Sequence, residues 1–200
     1  MSWFKRLGKV VVGDVVVTQL SLADEISDLQ GHFLQKIDEV VLIVKNKTID
    51  KNERNSDIVK AVTPMFDFEL MAKLSLGETW KELQKSDQDK FVKLYVERMK
   101  QSYSSKIDAY KDEKIKITSV DNLPNNRLAF NTELVGKADK LKVVYKFHKP
   151  KEHKASKDEW LIYDVEISGV SILKTDKAQF KEFLKTKSIQ ELMETIAKKS

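Results

Sequence analysis

Between residues 25 and 49, apolar side chains recur every three or four positions: Ile26, Leu29, Phe33, Ile37, Val40, Val41 and Val44. This spacing puts them on one face and predicts a long amphipathic helix. "KNKTIDKNERNSD" reads as a polar break, and a short helix, Ile58 to Val62, runs into Pro64. A further helix is expected over roughly 67–75. Gly77 ends it by offering a left-handed C′ position, and a short turn around Trp80 follows. The stretch "FDFELMAKLSLGETWKEL" holds Phe66, Phe68, Leu70, Met71, Leu74, Leu76, Trp80 and Leu83. That is more apolar bulk than one amphipathic helix needs. Ser86 with Asp89 reads as a capping box. The helix it opens carries Phe91, Leu94, Tyr95, Arg98, Met99 and Ser102 on one face and continues towards Tyr103, Ile107 and Tyr110.

Near residue 113 the period changes from 3.6 to 2. "KIKITSV" alternates Ile115 and Ile117 with lysines. Leu128, Phe130, Thr132 and Leu134 share one face of the next strand, and Leu141, Val143, Tyr145 and Phe147 share one face of the strand after it. "EWLIYDVEIS" assigns Leu161, Tyr163, Val165 and Ile167 to a common face. Polar turns at 121–126, 136–140 and 149–158 separate these runs, as in an antiparallel sheet with one apolar and one wet face. Gly169 breaks the last strand. Two helices finish the chain, one carrying Phe180, Phe183 and Leu184, the other opened by a Ser188/Glu191 capping box and carrying Leu192, Ile196 and Ala197. Helices, then sheet, then helices give an α+β fold: an antiparallel sheet of about four strands with helices packed on one face.

Two hundred residues fit one domain, or one domain with a helical subdomain, and 41% apolar residues suffice for a core. A net charge of +5, interspersed along the chain, lacks the basic stripe of a nucleic-acid surface. With no cysteine there is no disulfide framework and no thiolate metal site. Residues 1–23 resemble an export segment, with "MSWFKRLGK" as the positive region and Ser21-Leu22-Ala23 as a cleavage site before Asp24, although Asp14 interrupts the apolar run. VVV-Gly-Asp-VVV also suits a hairpin, and a start-site artefact is a third reading. The tract is too short and broken to span a bilayer.

Candidate chemistry is sparse. The common phosphate-cradling and hydrolytic motifs are absent. His148 and His153 flank the lysine-rich "HKPKEH" and read as solvated loop histidines, not metal ligands. "DKNERNSD" lacks the glycine and glutamate of a calcium loop. Asp164 and Glu166, two apart on a strand, read as solvated carboxylates. The expectation is a protein that is not an enzyme and uses no metal or cofactor.

"FDFELMAKLSLGETW", "FVKLYVERMKQSYSSKIDAY", "VVYKF" and "EWLIYDVEISGVSILKTDKAQFKEFL", in that order, resemble the toluene-tolerance family: the soluble periplasmic lipid-binding proteins of the Mla phospholipid-transport pathway. The match covers about residues 25–198. The pattern W-x-x-x-D-V-x-I-x-G-V-S at Trp160–Ser171 is specific in combination with the upstream pieces. Lys177, two residues before Gln179-Phe180, departs from the family, which usually has arginine there; it keeps the charge and loses the guanidinium fork. The resemblance implies a sheet curved against helices around a deep apolar cavity. It also implies a monomeric periplasmic shuttle that carries phospholipid between an inner-membrane ABC-transporter complex and an outer-membrane lipoprotein complex, maintaining outer-membrane lipid asymmetry. Contact with those membrane complexes would be transient, and no nucleic acid is involved.

The expected domain is 24–200. Candidate lipid contacts are Phe66, Met71, Leu74, Trp80, Phe91, Met99 and Tyr103 from the helices, with Leu128, Phe130, Val143, Tyr145, Phe147, Tyr163, Val165 and Ile167 from the sheet. Phe66, Met71, Trp80 and Phe91 each suit ordinary packing better than lipid contact, and the inward sheet residues Phe130, Val143, Tyr145, Tyr163 and Val165 are the stronger candidates. Met71 and Met99 would adapt to chains of varied length. Two other readings stand beside this one: a module for another apolar ligand, such as a hopanoid or a solvent-like molecule, and a ligand-free structural or interaction protein.

Overall fold

A computed structural model describes residues 13–46, 48–108, 114–136, 140–150 and 160–199; for 13–21, 103–108 and 199 it describes the backbone only. The chain folds as α1 (Gly13–Lys45), α2 (Lys51–Val62), a 3-10 turn (Thr63–Met65), α3 (Phe68–Leu76), α4 (Thr79–Glu82) and α5 (Lys85–Asp108). Strands β1 (Lys114–Leu123), β2 (Arg127–Val135), β3 (Lys140–His148), β4 (Leu161–Ile167) and β5 (Val170–Ser171) follow, then α6 (Ile172–Phe183) and α7 (Ile189–Lys199). The five strands form one antiparallel sheet in sequence order, so the α+β reading holds, with β5 as a short fifth strand.

Several boundaries differ from the sequence reading. Gly13 and Asp14 lie inside α1 and not in a hairpin turn; residues 10–12 are outside the described residues. The polar break is half helical, because Asp50 caps α2 by accepting from the N–H groups of Asn52 (2.7 Å) and Glu53 (3.1 Å). Ser86 does not cap α5. The helix starts at Lys85, and the Asp89 carboxylate that would complete the box pairs with Lys85 at 2.8 Å. Elsewhere the local chemistry behaves as expected. Gly77 closes α3 with φ +60°, and Glu191 accepts from the Ser188 N–H at 2.8 Å while Ser188 Oγ accepts from the Glu191 N–H.

Two bulges set the sheet's geometry. Thr118 is the extra residue of β1, between the pairs Ile117–Thr132 and Ser119–Asn131, and Tyr163 is the extra residue of β4, between Phe147–Ile162 and Lys146–Asp164. A bulge bends its strand and reverses the alternation beyond it. The β4 face grouping is therefore corrected: Ile162, Val165 and Ile167 share the face of Tyr145 and Phe147. Tyr163 lies on the opposite face, against Arg127 (4.6 Å) and His148 (5.9 Å).

The interior has two parts. α1 lies across the inward sheet face, with Phe33 edge-on to Phe130, Tyr145 and Phe147 at 4.9–5.8 Å. Beyond β4, helices α3 to α7 pack around Met71, Phe91, Tyr95, Phe180 and Met193. Polar ties join these parts on the outer face. Asp164, expected in water, is buried; it accepts from Ser171 Oγ, the Leu173 N–H and Lys146 Nζ, the last at 3.0 Å. Lys146 also reaches Glu166 at 3.1 Å. His148 is likewise no loop histidine, since it ends β3 with Nε2 2.8 Å from Asp67 Oδ2. His153 lies outside the described residues. Across the helices, Tyr95 and both terminal nitrogens of Arg98 converge on buried Asp176 at 2.7–2.9 Å.

Asp164→Ala leaves Lys146, the Ser171 hydroxyl and the Leu173 N–H short of their acceptor. Breaking a buried pair from one side costs about 3–5 kcal/mol. Lys146 keeps Glu166, so the predicted loss is about 3 kcal/mol, read from urea unfolding. A loss below about 1 kcal/mol would show that solvent replaces these bonds.

Candidate functional site

Between α1 and the inward sheet face lies a cavity of about 350 Å³, within the range of small-molecule sites. The α1 stripe forms one wall through Phe33, Ile37, Val40, Val41 and Val44. The sheet forms the opposite wall through Ile115, Leu134, Val143, Tyr145, Ile162, Val165 and Ile167. Ile58 and Val62 of α2 close a side, joined by Met65, Phe66 and Phe68, while Met99 and Ile172 reach in from α5 and α6. Every one of these side chains is hydrocarbon or thioether except Tyr145.

Local geometry explains the wall. The bulges keep branched side chains inward along β1 and β4. The 3-10 turn at Pro64 and the extended residue Phe66, which bridges to Ile162 and stacks on Phe68 at 5.3 Å, carry the chain along the β4 edge. Asp67, at the α3 N-terminus, donates its N–H to the Ile162 carbonyl and accepts from the Leu70 N–H. Burial pushes the Tyr145 phenol up to about 12. A neutral hydroxyl is therefore the only polar side-chain group on the wall. The wall presents no charge, nucleophile or strong metal ligand, and no cluster able to hold a metal ion occurs among the described residues. Such a space suits enclosure of apolar matter.

Of the candidate lipid contacts, the structure brings Phe66, Met99, Val143, Tyr145, Val165 and Ile167 onto the wall. Met71, Leu74, Trp80 and Phe91 belong instead to the helical core, with Tyr163 packed against that core from the outer face. Leu128, Phe130 and Phe147 pack in the sheet's core beside Phe33 and do not line the cavity. The side chain of Tyr103 lies outside the described residues. Much of the apolar excess at 66–83 is thus packing, and its contribution to the cavity is the Phe66–Phe68 pair. The α1 stripe, Ile58, Ile115, Leu134, Ile162 and Ile172 were missing from the candidates. The α1 stripe, Ile115 and Leu134 lie on apolar faces visible in the sequence, but no pattern says which apolar face meets space and which meets protein.

A second hollow of about 490 Å³ lies between α5, α6 and α7. Its wall mixes Gln101, Ser102, Gln179 and Thr195 with Phe180, Phe183, Leu192 and Ile196, and its guanidinium, Arg98, is forked onto Asp176. It is a groove between helices of mixed character, unlike the uniformly apolar cavity.

The profile of the MlaC protein family matches residues 34–198. No curated protein matches the chain. Among solved structures, the phospholipid-binding protein from Ralstonia solanacearum in complex with a phospholipid matches with a TM-score of 0.72 and 15% identity, covering 84% of this chain and 94% of that one. At that identity the likeness establishes the shared fold.

A raised folded-state phenol pKa contributes stability that is complete below the ordinary value of 10.0 and is lost as pH rises through about 12. Subtracting the phenolate absorbance titration of Tyr145→Phe from that of the parent chain should isolate one ionisation centred near 12. A difference centred near 10 would put this hydroxyl in water.

Proposed function

The chain belongs to the MlaC protein family, and on that premise we propose that it is a phospholipid carrier of the periplasm, holding acyl chains in the cavity under α1. The observation that carries this reading is the cavity's wall, apolar throughout except for one neutral phenol. Moving an acyl chain through water exposes it at about 0.8 kcal/mol per methylene, or on the order of 12 kcal/mol for a sixteen-carbon chain. A carrier must remove that exposure and leave the charged headgroup at the surface, which requires apolar walls and no reactive group. The fold shared with a protein described as holding a phospholipid supports the same reading. No described helix is long and apolar enough to cross a membrane.

In this proposal residues 1–23 are an export segment and 24–200 are the lipid-binding domain. The protein acts as a monomer without cofactor or catalysis. It passes lipid between an inner-membrane ABC-transporter complex and an outer-membrane lipoprotein complex, which maintains outer-membrane lipid asymmetry. Crosslinking in cells should capture components of both complexes. Capture of neither would remove the shuttle role while leaving lipid binding in place.

The central test is protein isolated from a Gram-negative envelope fraction without detergent. It should begin at Asp24 and yield diacyl phospholipid at near one per chain on extraction and mass spectrometry. Recovery of a different apolar molecule, or of nothing, would favour the other-ligand or ligand-free reading, and an intact Met1 would remove the export assignment.

Val143→Trp or Val165→Trp puts bulk into the proposed lipid space. Each should lower the lipid-to-protein ratio with little loss of stability between delipidated forms, a comparison needed because bound lipid itself stabilises the fold. Lys142→Gln, on the outer face, should leave both unchanged. A stability loss of about 1–3 kcal/mol in both tryptophan variants, with lipid retained, would mark these valines as ordinary core.

A further inference from the structure

Tyr145 contributes an atom that an apolar cavity does not need. Its neighbours across the sheet are Phe130 on β2 and Val165 on β4, and Phe147 follows on the same face, so the position would accept a phenylalanine ring. The ring is fixed by Phe33, 4.9 Å away at 62°. Among the described residues, no group accepts a hydrogen bond from the hydroxyl. Tyr145 is half-buried and lines the cavity. An unpaired hydroxyl withdrawn from bulk water is unfavourable unless something supplies an acceptor.

The acceptor's chemistry follows from the site. The group must enter an uncharged space, so a phosphate or other charged headgroup is unsuited to it. It must accept from a neutral donor, because the phenol is not ionised at neutral pH. On a diacyl phospholipid, the uncharged acceptors attached directly to the apolar chains are the ester carbonyls. An ether-linked lipid has the same chains and keeps the bridging oxygen, but it lacks the carbonyl oxygen that branches from the first carbon of each chain.

We propose that the Tyr145 hydroxyl donates a hydrogen bond to an acyl-ester carbonyl of the bound lipid, making the cavity selective for ester-linked over ether-linked chains. The proposal rests on the lipid-carrier reading above. Phe33 positions the donor, and the rest of the wall supplies affinity without distinguishing the linkage.

The test offers the full chain an equimolar mixture of dipalmitoyl and dihexadecyl-ether phosphatidylethanolamine in mixed vesicles. After re-isolation, the bound lipid is quantified by mass spectrometry. The parent protein should hold the ester form in about fivefold excess, the ratio that one neutral hydrogen bond supports. Tyr145→Phe, which keeps the ring, should bring the ratio to near one. The carbonyl stretch of isotopically labelled ester lipid should lie at lower frequency in the parent complex than in the variant complex, a difference that packing alone would not give. A parent ratio near one, or a preference that survives Tyr145→Phe, overturns the proposal while the carrier reading stands. Retention of neither lipid by the parent protein overturns both. Because the ratio is measured on the parent protein, the test holds even if the variant folds poorly.

Discussion

One strand has to face two interiors. On β4, Leu161, Ile162, Tyr163, Asp164 and Val165 are all buried, so no face of its centre is left to water. Strict alternation would send Tyr163 and Val165 the same way. The bulge at Tyr163 separates them, giving Val165 to the cavity and the Tyr163 ring to the helices and Arg127. The rest of the architecture follows from this division. The helical cluster can pack beyond the β4 edge because Tyr163 meets it there, and the cavity keeps an unbroken wall because Ile162, Val165 and Ile167 stay inward.

Charged and polar bonds are arranged around the cavity and not within it. Asp164 gathers Lys146, Ser171 and the first turn of α6, His148 reaches Asp67 at the start of α3, and Lys149 pairs with Glu25 to tie α1 to the end of β3. These contacts hold the walls in position from the far side of the sheet and from the N-terminal half of α1. A charge facing the cavity would carry a desolvation cost that only a partner could offset. Placing such groups outside lets them orient the elements while the interior stays available to hydrocarbon.

The aromatic layer works differently. Phe33, Phe130 and Phe147 form a contiguous set of ring contacts that fills the space between α1 and the middle of the sheet. Beyond it towards the C-terminal end of α1, the facing side chains become Val40, Val41, Val44, Ile115, Leu134 and Val143. Shorter side chains on both walls leave the gap that the rings fill elsewhere. The cavity is thus a change in side-chain length along one packed interface, with Tyr145 at the transition.

The elements and their order were legible in the sequence because the period of the apolar positions reports secondary structure directly. The stripe of α1, the stop at Gly77 and the Ser188/Glu191 box are local matters, decided within a few residues. The change from period 3.6 to period 2 near residue 113 was enough to give the α+β class, and the ordered motifs were enough to suggest the family. Where non-local geometry decides, the sequence was silent. The bulge at Tyr163 depends on the pairing of β4 with β3, so a period-two reading grouped Tyr163 with Val165. Asp164, Glu166 and His148 looked solvated because their partners are distant in sequence or set by strand pairing. The boundary between core and cavity was the least legible feature. Phe91 and Phe66 have the same apolar chemistry, but Phe91 meets Phe180 and Tyr95, while Phe66 borders open space. Hydrophobicity says that a side chain will leave water; only the tertiary structure determines whether protein or an empty volume lies on the other side.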